Sequence, residues 1–265
     1  SFDGAGYNHV NTNSDTFVAW CWKAGGTGSS NSDGDITSTV SVNATAGFSI
    51  ITYTGNGTGN STIGHGLGAV PTFIAVKRRD TTQSWGTKNP AFNSAADPNV
   101  MYFNTNQAVQ TDTNVWGTSA AFTSSTFTVG DWTGSNANGG TYVAYAFVEK
   151  RGFSRFGEYS GYSDTDGPFL YTGFKPKYVV FKCKSTTDHW VIDDNARSPF
   201  NESNATLYMN LANAEYTAGA YGIDILSNGI KIRNLDGNYN QNGRAFIYWA
   251  FAEEPLVGDN PATAR

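Results

Sequence analysis

Tyr142-Val143-Ala144-Tyr145-Ala146-Phe147-Val148-Glu149 returns, lightly altered, as Phe246-Ile247-Tyr248-Trp249-Ala250-Phe251-Ala252-Glu253. Residues alternate between two apolar faces in both copies. Tyr142, Ala144 and Ala146 oppose Val143, Tyr145 and Phe147; Phe246, Tyr248 and Ala250 oppose Ile247, Trp249 and Phe251. Successive side chains of a strand leave on opposite sides, so a period of two with both faces apolar predicts a β-strand deep in a sandwich.

Further matches lie outward from this strand. Gly47-Phe48-Ser49 recurs as Gly152-Phe153-Ser154, and Pro71 with its apolar run to Lys77 recurs as Pro176 with a run to Lys182. Trp85 recurs as Trp190, and Met101-Tyr102-Phe103-Asn104 as Leu207-Tyr208-Met209-Asn210. The spacing is about 105 residues throughout, with shifts of a residue that belong in loops. Asn13 to Lys23, containing Phe17-Val18-Ala19-Trp20-Cys21-Trp22, aligns with the terminal strand of both copies as a third, partial one. Two readings of it stand: the chain is the C-terminal part of a longer polypeptide, which is favoured, or residues 16–23 lend a first strand to the next unit.

The expected division is therefore residues 1–23 as the end of a preceding repeat, 24–46 as a Gly/Ser-rich linker, 47–151 and 152–254 as two β-sandwich repeats, and 255–265 as a tail. Thr72–Lys77 and Tyr178–Lys182 read as strands, each introduced by a proline. Asn210–Tyr216 is the better of two short helical candidates. The fold class is all-β: two tandem antiparallel sandwiches, jelly-roll-like, preceded by a strand.

Composition agrees. Of 265 residues 30 are Gly, aromatics make up 14% and charged residues only 15%, a balance poor for helix interiors and suited to pleated surfaces. The net charge of -5 and a single dense basic run, Lys77-Arg78-Arg79, argue against nucleic acid as a partner. That run, echoed at Lys182 and Lys184, reads as strand charge that discourages edge pairing. No stretch approaches the roughly 18 apolar residues of a spanning helix, so no membrane insertion is expected. Cys21 and Cys183 are too few for a disulfide framework.

Candidate chemistry is sparse. His9, His65 and His189 lack metal-like spacing and any Ser or Cys nucleophile signature. Asp164-Thr165-Asp166-Gly167 opens like a calcium loop without its later ligands, and it reads, with Asp33-Gly34-Asp35, as turn chemistry. Asp193-Asp194-Asn195-Ala196-Arg197 offers either an acid/base pair or a capped turn whose Asp accepts from backbone N–H groups or Arg197; the turn is preferred. Gly55-Asn56-Gly57-Thr58-Gly59 reads as a hairpin loop, since no lysine and helix follow to hold a phosphate. No catalytic residue, metal or cofactor is expected.

The repeat itself supplies a control on the aromatics. Trp85 and Trp190 occupy equivalent positions and read as a shared packing site. Trp116, Trp132, Tyr162 and Tyr239 occur in one copy only and are the candidate ligand-binding residues, since such rings stack on sugar faces and anchor interfaces.

The run Gly47 to Gly57, then Ile63-Gly64-His65-Gly66-Leu67-Gly68, Pro71 and the strand to Lys77 resembles a repeated domain in virion proteins of marine tailed bacteriophages. Thr16 to Gly25, Leu226 to Arg233 and the ending Pro261-Ala262-Thr263-Ala264-Arg265 add to the resemblance, which covers most of the chain. Cys21 departs from it, standing where a small or polar residue is usual. The resemblance implies a virion location and a structural, non-enzymatic role as a tail-fibre or appendage component with host-surface adhesion. The implied partners are other virion proteins, further copies of the chain (a homo-oligomer, trimer favoured) and a host surface glycan. A capsid decoration protein is the alternative; a polysaccharide-degrading enzyme using Asp193 or Asp194 is a weaker one.

Overall fold

A computed structural model describes residues 12–89, 98–119, 121–217 and 222–253. Ten strands precede residue 150: β1 (Ser29–Asn31), β2 (Ser38–Asn43), β3 (Phe48–Thr54), β4 (Ser61–Gly64), β5 (Phe73–Arg78), β6 (Gly86–Lys88), β7 (Asn99–Tyr102), β8 (Gln110–Thr111), β9 (Thr126–Val129) and β10 (Thr141–Phe147). Eight follow: β11 (Ser154–Ser160), β12 (Phe169–Tyr171), β13 (Pro176–Cys183), β14 (Trp190–Asp194), β15 (Leu207–Tyr208), β16 (Ile223–Leu226), β17 (Gly229–Ile232) and β18 (Ala245–Ala252). The helices are single turns, α1 (Thr113–Trp116) and α2 (Thr133–Asn136).

The chain is all-β and sandwich-like. An eight-stranded sheet runs β1-β2-β3-β10-β5-β6-β7-β8 and is faced by the β4–β9 ribbon; a five-stranded sheet runs β11-β18-β13-β14-β15 and is faced by β12-β17-β16. Every paired strand in these ladders is antiparallel. The terminal strand of each repeat, β10 or β18, lies between the repeat's first long strand and its proline-led strand.

Three apolar cores separate four layers. Ile51, Ile74, Val76 and Ala144 of the large sheet pack with Ile63, Phe127 and Val129 of the ribbon. Val179, Phe181, Val191 and Ala250 pack with Leu170, Ile225, Ile230 and Ile232. The third core joins the outer faces of the two large sheets: Phe73, Ala75 and Met101 against Phe156, Val180, Trp190, Ile247 and Trp249. This accounts for strands apolar on both sides. Tyr248 and Ala250 face the repeat's own small sheet, whereas Ile247 and Trp249 face the other repeat.

Four expectations need correction. Residues 24–46 are not a connector: β1 and β2 extend the large sheet, and Ile36 and Val40 join its core. Side-chain hydrogen bonds order this polar stretch, with Asp35 Oδ2 accepting from Thr62 N and Oγ1 and Ser38 Oγ donating to Gly64 O. Second, residues 12–23 form no strand. A terminal strand is laddered by the strands on either side of it, as β3 and β5 flank β10, and residues 12–23 have no such flanking strands among the described residues. Trp20 and Trp22 hold this segment by side-chain packing on the third core.

Third, Asn210–Tyr216 is not helical; Tyr216 instead bridges to Thr206. Fourth, the Gly-Phe-Ser match does not carry into the ladders. Phe48 pairs with Phe147, but the position equivalent to Phe147, Phe251, pairs with Ser154. The second copy has slipped by one residue, which exchanges the faces and brings Phe156 to the third core opposite Trp249. The expected tail from residue 255 lies outside the described residues.

Candidate functional site

On the outer face of the eight-stranded sheet, neighbouring strands bring Ile50, Tyr145 and Ala75 into one row and Phe48, Phe147 and Phe73 into the next. Together with Trp85, Trp22 and Trp249 they line an open, mostly apolar groove of about 600 Å³ between the two repeats. Its rings are ordered against one another. Trp85 stacks near Tyr145 with centroids 6.2 Å apart and planes at 22°, and Phe48 stacks on Phe147 at 4.6 Å. Asn104 fixes Trp85 by accepting from its backbone N at 3.0 Å, as Asn210 does for Trp190 at 3.1 Å.

Several titratable groups are tied into the fold by hydrogen bonds. Asp193 and Asp194 are neighbours on β14, so their carboxylates leave on opposite faces. Asp193 is buried beneath Thr206 Oγ1 (2.7 Å) and the Tyr239 hydroxyl (2.8 Å). Burial raises its pKa from 3.8 to about 6, against the lowering effect of those hydrogen bonds. Asp194 accepts from Ala196 N, Arg197 N, Arg197 Nε and Trp20 Nε1, the capped turn that the sequence favoured. Burial works against the Asp194 carboxylate, but hydrogen bonds from Arg197 outweigh it and its pKa is lowered. An acid and a base cannot share one substrate bond from opposite sides of a sheet.

Lys182 is buried with Nζ donating to Cys183 O (2.6 Å), and desolvation lowers its pKa to about 8. His65 is buried; its Nδ1 accepts from Leu67 N and its Nε2 lies 3.2 Å from Thr123 O, with burial lowering its pKa. His189 Nδ1 lies 3.0 Å from Asn210 Nδ2. His9 lies outside the described residues. Among the described residues no group of three His, Cys, Asp or Glu side chains could hold a metal ion, and no helix is long and apolar enough to cross a membrane.

The two polar loops are built alike. Asn136 Nδ2 donates to Thr58 O and Gly130 O, while its Oδ1 accepts from Asn56 N. At the equivalent place Asn240 Nδ2 donates to Asp164 O and Asn234 O, and its Oδ1 accepts from Tyr162 N. Both amides are buried. One side chain therefore staples the Gly55–Gly59 loop, and another the Asp164–Gly167 loop. The near identity of the two networks was recoverable from the repeat, but Asn is so common in this chain that nothing singled these two out.

The four single-copy aromatics do not converge. Trp116 and Tyr239 are fully buried, in the first and second core respectively, and cannot meet a ligand: this corrects the expectation for both. Trp132 is half-buried, edge-on to Tyr102 at 5.7 Å. Tyr162 is exposed. The small sheets differ, with two strands in the first repeat and three in the second, so unlike residues fill the two cores and a single-copy aromatic need not face a ligand. Trp85, set aside as packing, lines the groove.

No curated protein and no solved structure matches the chain. A family model described as "Domain of unknown function (DUF7483)" matches residues 1–255. Spanning almost the whole sequence, that match makes the chain a member of the DUF7483 family.

Proposed function

We propose that this chain is a structural component of a bacteriophage particle, a tail-fibre or other appendage module that holds loops toward the host surface and carries out no reaction. The observation that carries the reading is the stack of two repeats through an aromatic core, with buried amides fixing the loops. The sequence resemblance to phage virion domains supplies the context. Tyr162 on a stapled loop, and Phe169 and Tyr171 on the outward side of β12, offer exposed rings for a host glycan. Copy number in a homo-oligomeric appendage, a trimer in this reading, raises the avidity of such weak contacts.

Antibody labelling of intact particles, paired with adsorption competition by the purified chain, tests this. The expected result is label on a tail appendage and reduced adsorption. Label on the capsid shell without competition favours a decoration protein, and absence from the particle overturns the reading.

A further inference from the structure

Contacts in the third core are not reciprocal. Phe73 of the first repeat stands 4.3 Å from Trp249 of the second, yet its own equivalent, Tyr178, packs 5.2 Å from Trp20 rather than on Tyr145, the equivalent of Trp249. By sequence Trp20 is the counterpart of Trp249 and Tyr145 in the partial copy. The first repeat thus leans on the second, and the second on the partial copy. Phe147, Phe251 and Trp22, one from each copy, close a triangle: the centroids are 5.5, 5.2 and 6.3 Å apart. Two such contacts passed in one direction, with three equivalent rings meeting beside them, fit a threefold ring and not a twofold pair.

One seat of this ring is open. In the second repeat Trp249, Phe156 and Trp190 are buried under the first repeat. Their equivalents Tyr145, Ile50 and Trp85 are only half-buried, and they line the groove that Trp249 and Phe156 also border. We propose that this groove is the docking seat of a third repeat unit of the same kind, the one whose terminal residues are 13–23. Its proline-led strand would set the counterpart of Phe73 on Tyr145, completing a pseudo-threefold ring. The chemistry fits such an occupant, since the seat is apolar and aromatic, as the covered face of the second repeat is. The proposal does not depend on the phage reading.

Thiol labelling tests it. Ile50→Cys is made in a Cys21→Ser background, both in the 265-residue chain and in the complete gene product, with Thr58→Cys as an exposed control. Maleimide labelling of Ile50→Cys should be slower by about tenfold or more in the gene product than in the 265-residue chain, with the control unchanged. Tyr145→Cys should behave as Ile50→Cys does. Equal rates overturn the proposal. So does protection already present in the 265-residue chain: dependent on concentration it means a second copy fills the seat, independent of it a segment of the chain itself. A gene product with no such unit before residue 12 also overturns it.

Discussion

The ring of Trp22 stands 5.2 Å from that of Phe251, edge to face at 71°. Two equivalent positions of the repeat, far apart in sequence, meet there on a core that also holds Phe147. Truncating either ring should cost stability in proportion to its burial. Phe251→Ala, at a buried position, should lower the unfolding free energy by about 3–5 kcal/mol, and half-buried Trp22→Ala by about 2 kcal/mol. Urea unfolding followed by circular dichroism measures both.

Asn136 and Asn240 each satisfy two backbone carbonyls and one backbone amide. Their replacement by Ala takes the donor from Gly130 O and from Asn234 O, where the bond is buried, at about 1–3 kcal/mol each. Hydrogen exchange should become faster at Asn56 N in Asn136→Ala and at Tyr162 N in Asn240→Ala. An unchanged exchange rate at the stapled amide would show that the loop is held by other means.

Two buried ionisable groups give opposite pH signatures. The Asp193 pKa is raised from 3.8 to about 6, so between these values the native protein keeps a proton that the unfolded chain has lost. Its contribution is full below the lower value and lost as pH rises through the upper, on the order of 3 kcal/mol in all. Lys182, lowered from 10.5 to about 8, makes stability rise with pH across that interval, because there the unfolded chain binds the extra proton. Asp193→Asn should flatten the acidic slope and Lys182→Met the alkaline one, measured as unfolding free energy against pH.

How far the fold was legible follows from what the repeat could carry. β10 and β18 were plain because their alternation is unbroken, and the all-β class followed. The body covering their second face was not, since apolar residues at Ile247 or Trp249 do not say whether a sandwich partner or another repeat packs on them. The stretch 24–46 misled because Ser, Asp and Gly read as connector, whereas Asp35 and Ser38 bind it to β4 and its end. The one-residue slip at Ser154 was hidden by the repeated Gly-Phe-Ser. Of the proposed ligand-binding aromatics, Trp116 and Tyr239 fill cores that composition cannot tell from surfaces.

The central claim is that the copies pack cyclically, and double-mutant cycles on the third core test it most directly. Coupling of about 1 kcal/mol is predicted for Phe73 with Trp249 and for Tyr178 with Trp20, with none between Tyr178 and Tyr145. Coupling between Tyr178 and Tyr145, with none between Tyr178 and Trp20, would mark a twofold pair of repeats and contradict the account.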